Sequence, residues 1–367
     1  MSTPRYQPNR KLLHAGLSPF RKAAEKFVEF TLMSSGLLSI FVTIAIAIVV
    51  IRGTYGFFTH PTERVTRVVS YHHTQYAIFT GHMSPLMTAP ALAASAMTVS
   101  HEVFAEKEST VGEFLTDTEW EAGYQATGLR KLSYGILPLL SGTIMVALIA
   151  ALVAIPLGLI TAVYLSEYAT PRVRDIVKPV LELLAGIPTV VYGFFALTVI
   201  TPFLLSLGPA EWLDHPQNQL AGGIVVGIMI LPMVASLSED ALRSVPNSLR
   251  EASLALGATK FETSWRVVVP AALSGIIASF ILAISRAVGE TMAVSLAVGD
   301  KPKLSFDPTE GVATMTSFIV RAAQGDVQHG SAYFLSLFAV AGMLFVITLS
   351  MNVISQWILH RYRQVYQ

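Results

Sequence analysis

The sequence predicts an all-α integral membrane protein, a bundle of six spanning helices, and three observations carry that expectation. Apolar residues make up 53% of the 367, whereas Asp, Glu, Lys and Arg together reach 13%, about half the share usual in soluble domains. The apolar residues gather in blocks near or above the roughly 18–20 that cross a bilayer. The charge lies mostly between those blocks and is unevenly shared between alternate loops. A net charge of +1 marks no nucleic-acid or strongly acidic partner. With no cysteine in the chain, disulfides and thiol chemistry are excluded.

Taken in order, residues 1–33 form a polar, basic N-terminal segment with Arg5, Arg10, Lys11, Arg21, Lys22 and Lys26. The apolar run 34–51 reads as an uncleaved first span, because no small-residue cleavage site follows it. Residues 52–135 form a long, mostly polar segment. Its histidines, His60, His72, His73, His82 and His101, have no metal-ligand spacing and read as solvated side chains. Within it, Pro85–Val99 is apolar but too short to span. The stretch 136–357 then holds five further blocks, about 136–165, 176–207, 220–237, 271–298 and 332–357. Residues 358–367 close the chain as a tail.

Basic residues set the orientation. Arg172, Arg174 and Lys178 follow the second block, and Arg243, Arg250, Lys260 and Arg266 follow the fourth. The loop after the third, residues 208–219, has none. By the positive-inside rule both termini and the loop 239–270 are expected in the cytoplasm.

That loop has its own local code. Ser248-Leu-Arg-Glu251 and Thr259-Lys-Phe-Glu262 each place a hydroxyl three residues before a carboxylate, the pattern of a capping box. Gly257 stands where the first helix should stop, in the left-handed position glycine tolerates. Pro270 is expected at the boundary with the fifth span. The product is a helix, a glycine bend and a second helix.

The fifth block, 271–298, is apolar except for Arg286 and Glu290. On a continuous helix the two lie about 40° apart and are expected to meet as an i, i+4 pair. The same face carries Gly275, Ser279, Ala283, Gly289, Ala293 and Ala297, with Ile277, Ile281, Ile284 and Val288 opposite. Charges inside a membrane normally face the interior and mark pathways, although a pair that only holds the bundle would look the same. A guanidinium offers two-point bonding suited to an oxyanion. Glu290 would balance its charge when the site is empty. Glu182, near the start of the third block, is read as either pathway or structural.

Four stretches carry a family resemblance. Glu251-Ala252-Ser253, Gly257, Val267, Val269 and Pro270 stand at the spacings of the Glu-Ala-Ala signature of bacterial ABC importer permeases. Ser253, Val267 and Val269 depart from its usual residues. In that family the helix inserts into a cleft of a partner ATPase. Tyr134-Gly-Ile-Leu-Pro138, Leu181–Gly193 and Ser285-Arg-Ala-Val-Gly-Glu-Thr-Met-Ala293 resemble the PstC-type permeases of phosphate importers. The resemblance implies the type I ABC importer permease fold and the role of a phosphate-translocating subunit in the inner membrane. It implies as partners a PstA-type permease, two copies of a PstB-type ATPase binding ATP and Mg, and a PstS-type phosphate-binding protein. No Gly-x-x-x-x-Gly-Lys-Ser/Thr occurs, so this chain is expected to bind no nucleotide in a P-loop. Another oxyanion such as molybdate or sulfate, or a secondary anion carrier, remains an alternative.

Overall fold

The computed structural model describes residues 19–59, 110–121, 133–208, 213, 215–325 and 332–362. Most of the long segment 52–135, including its five histidines and Pro85–Val99, therefore lies outside the described residues, as do 1–18 and 363–367. The chain divides into two units, Met1–Gly53 and Thr54–Gln367.

The first unit holds most of helix α1 (Pro19–Phe58), which runs past both ends of the expected 34–51. Its stretch Met33–Phe58 is long and apolar enough to cross a bilayer. Proline at the first position suits a helix start, and no further proline interrupts the run to Phe58.

The second unit is a helical bundle. Helix α2 (Val111–Thr116) carries a capping box from Thr110 and Glu113. Strands β1 (Trp120–Glu121) and β2 (Ser133–Tyr134) then pair antiparallel, Trp120 opposite Tyr134. The core helices follow: α3 (Leu137–Val163), α4 (Pro171–Ala185), α5 (Thr189–Phe195), α6 (Thr201–Leu207) and α7 (Gln219–Arg243). A five-residue π turn, Tyr164–Tyr168, extends α3, and another, Ala196–Ile200, joins α5 to α6 as one span. After α7 come α8 (Asn247–Ala255), α9 (Lys260–Thr263), α10 (Val269–Ala271), α11 (Leu273–Val288), α12 (Met292–Ala297), α13 (Met315–Gln324) and α14 (Ala332–Tyr362). Among the described residues, five helical stretches are apolar and long enough to span. The pair Lys260–Ala271 and Leu273–Val288, bent by 71°, makes six if counted as one.

The third apolar block is not one helix. Its first part belongs to α4, which ends at Ala185 before Gly186-Ile187-Pro188, and the span itself begins at Thr189. Proline disfavours the helical conformation in the residue before it, which places the break.

Spans α3 and α7 form the centre, and small residues let them approach. A Cβ on Gly223 would stand 2.5 Å from Ile149 Cβ, and one on Gly158 would stand 2.6 Å from Val234 Cγ1. Buried Val146, Ala150, Val225, Val226, Met229 and Ile230 fill that interface. On the side away from the loop 244–272, a second cluster seats Phe57, Phe114, Trp120, Tyr134 and Phe318 edge to face, with Trp120 and Phe318 centroids 4.8 Å apart. This aromatic layer fixes the short hairpin and α13 over the ends of the spans.

Candidate translocation and coupling sites

The fifth span is broken where its charges lie. Helix α11 ends at Gly289, whose ψ is 0°, and Glu290 sits between helices. Glycine weakens the helix there, and the Thr291 hydroxyl donates to the Gly289 carbonyl at 3.1 Å. The Glu290 carboxylate accepts the Ala293 amide at 3.3 Å, satisfying one of the free N–H groups of α12. Glu290 is buried, 8% exposed. Arg286, one turn earlier, is exposed, and among the described residues it makes no ion pair or hydrogen bond.

The expected i, i+4 pair of Arg286 and Glu290 therefore does not form, because the helix that would align them stops at Val288. The stripe of small residues also has a different meaning. Ser279 shares a 2.8 Å hydrogen bond with Ser238 of α7, and a Cβ on Gly275 would meet Ala241 at 2.6 Å. Ala283, Ala293 and Ala297 are buried. In α11 this face packs on span four. Gly289 alone of the set is exposed.

Sequence reasoning missed what holds the break. The Thr316 hydroxyl donates to the Glu290 carbonyl at 2.8 Å and Thr314 Oγ1 lies 3.1 Å from Thr316 Oγ1. Thr143 Oγ1 accepts the Met315 amide at 3.0 Å. All three threonines are buried. The signal was the run Thr314-Met-Thr-Ser317 itself, four residues with three hydroxyls at a helix start.

The loop has the expected helix–bend–helix shape. Gly257 has φ of +87°, and around it the Gly257 amide bonds to Leu254 O at 3.0 Å and the Ala258 amide to Ser253 O at 3.3 Å. These are the two bonds of a Schellman stop. The Thr259–Glu262 capping box is present, and the Thr259 amide and hydroxyl hold the Glu262 carboxyl below its ordinary range. The Ser248–Glu251 box is not formed. The helix begins at Asn247 after Pro246, so Ser248 lies inside the first turn and cannot cap it. Ser253 is buried with its hydroxyl 3.0 Å from Thr263, linking the two helices. Glu251 and Ala252 are exposed. Pro270 lies within α10, and the bend falls just after it at Ala272.

Beside the loop is a network of ion pairs, most of them between residues far apart in the sequence. Glu239, with 1% of its side chain exposed, accepts Arg174 Nε at 2.9 Å and Lys178 Nζ at 2.8 Å. Arg243 stands 3.6 Å away, and Lys178 also reaches Asp240 at 2.6 Å. Burial disfavours the Lys178 charge, but hydrogen bonds to Asp240 and Glu239 outweigh it, so its pKa is raised. Arg250 pairs with Glu167 at 3.0 Å. Glu182 is exposed on α4 and belongs to neither group. Arg286, Glu182 and the loop residues are thus separate features, not one site.

With this geometry in hand, the comparisons define the class. Residues 154–364 match the family of binding-protein-dependent transport system inner membrane components. The chain is 34% identical over 265 residues to the phosphate transport system permease protein PstC of Xylella fastidiosa, covering 68% of this chain and 78% of that protein. The chain belongs to this family of ABC importer permeases, multi-span membrane subunits that are not themselves catalytic. It is also 38% identical over 236 residues to a probable ABC transporter permease, YqgH, of Bacillus subtilis, covering 64% and 74%. To the permease PstA 1 of Mycobacterium tuberculosis it is 34% identical over 233 residues, covering 64% and 72%.

Proposed function

We propose that the chain is the PstC-type half of the translocation pathway of an ATP-driven importer of inorganic phosphate. Its sequence similarity to permeases named for phosphate transport carries the reading. The chemistry of the break agrees with it. Arg286 has a guanidinium without a partner among the described residues and planar donors suited to phosphate. Glu290, buried at the break one turn further on, is the second residue of the proposed path, and Glu182 lies on the helix that leads into span three.

The loop is the coupling element. Leu256, 89% exposed, and Phe261, 62% exposed, give the helix–bend–helix an apolar surface beside Glu251 and Ala252, which docks on a PstB-type ATPase. Two copies of that ATPase hold ATP and Mg and supply the energy. A PstA-type permease completes the pathway, and a PstS-type protein delivers phosphate from the opposite side. Both termini and the loop face the cytoplasm, in the inner membrane.

Uptake of labelled phosphate by the assembled complex tests this. Arg286→Ala is expected to abolish uptake while the complex still assembles, and normal uptake by that variant would remove Arg286 from the pathway. Excess molybdate or sulfate should leave uptake unchanged. Competition by either would reassign the substrate, and uptake without ATP would favour a secondary carrier.

A further inference from the structure

The guanidinium of Arg250 joins three elements. Its Nη2 donates to Glu167 Oε1 at 3.0 Å and to the Leu242 carbonyl at 2.9 Å, while Nη1 donates to the Val245 carbonyl at 2.6 Å and to Asn247 Oδ1 at 3.3 Å. Nε faces both oxygens of Glu167 at 3.3 Å. Arg250 belongs to α8, Glu167 to the π turn that ends span two, and Leu242 to the last turn of span four, with Val245 two residues beyond its end. The carbonyls at a helix end have no partner within the helix, so Arg250 caps span four while it grips span two. Lys260, beyond the glycine bend, lies 5.1 Å from the ring of Tyr168 in the same π turn.

The pair is shielded, with 17% of the Arg250 side chain and 7% of the Glu167 side chain exposed. Burying two charges costs free energy that a packed apolar pair would not. What the ionic arrangement adds is direction, since a planar fork with every donor engaged permits one relative placement of its partners. Span five is attached differently, through a 71° bend.

We infer that Arg250 and Glu167 are positioning residues for transport. They make the coupling helix move as one body with the adjoining ends of spans two and four, so that a push on the loop reaches those spans without loss at the junction. This rests on the reading of the loop as the ATPase docking element.

The test uses the full complex reconstituted in vesicles, reading phosphate imported per ATP hydrolysed and ATPase retained on purification. Glu167→Gln, which leaves the carbonyl bonds of Arg250 in place, is expected to keep the ATPase bound and hydrolysing while import per ATP falls at least about fivefold. Arg250→Gln should behave alike, and the double variant should be no worse than the poorer single. A ratio within about twofold of the unmodified complex in Glu167→Gln overturns the clasp. So do single losses that multiply in the double variant. Should Arg250→Gln fail to assemble, Glu167→Gln decides alone. Leu256→Asp, away from the clasp, reports on docking separately: it should shed the ATPase, and full retention would refute the docking surface itself.

Discussion

The loop 244–272 and the break in span five are both interruptions of helix, yet they are specified in opposite ways. The loop is closed by its own residues. Gly257, Thr259 and Glu262 satisfy amides and carbonyls within a few positions of themselves. At the break, Glu290 satisfies one neighbouring amide, but its own carbonyl depends on Thr316, 26 residues further on. A locally closed bend can move as a unit, whereas a bend closed from another element moves only if that element follows.

The sharpest way to break the contrast is to remove a long-range partner from the loop's surroundings. Glu239→Ala leaves Arg174 and Lys178 without their shared carboxylate. It should cost about 3 kcal/mol, the low end for a buried pair because both cations keep contact with water. Thermal unfolding in detergent would measure it, and a shift no larger than for a surface substitution would show that the network contributes little.

Thr316→Val removes one hydrogen atom's worth of bonding at nearly constant volume. It should cost about 1–3 kcal/mol by stranding the buried Glu290 carbonyl. Phosphate uptake should fall with it and recover in Thr316→Ser. Equal behaviour of the Val and Ser variants would show that the hydroxyl does not hold the break.

The smallest effect is expected at Gly257→Ala. A Cβ there would meet nothing within 4 Å, so the cost is the left-handed backbone alone, about 1–2 kcal/mol. Local hydrogen exchange in α8 and α9 should rise while the spans stay protected. Exchange spreading through the spans would mean that the loop is not an independently closed unit.

The same contrast explains what could be read from the sequence. Six apolar blocks, the stop at Gly257 and the Thr259 cap were legible because each follows from neighbouring residues. The Ser248 cap was misplaced because the helix starts at Asn247, with Pro246 in the cap position, two residues too early for it. The Arg286–Glu290 pair failed because a helical wheel assumes an unbroken helix, and nothing local to Gly289 announces that Thr316 will satisfy the interruption. The sequence singled out neither Glu239 nor Glu167. Apart from Arg243, four positions from Glu239, their cations lie 61 to 83 positions away, a distance over which periodicity carries no information.

The 71° angle between Lys260–Ala271 and Leu273–Val288 has a mechanical consequence of its own. If the angle is held, a displacement of the loop segment along its axis resolves about one third along span five, the cosine of 71°, and nearly all of it sideways. The corner thus behaves as a bell crank. Under the proposed coupling role, a thrust on the loop would become chiefly a lateral swing of the span that carries Arg286, with little sliding along its length.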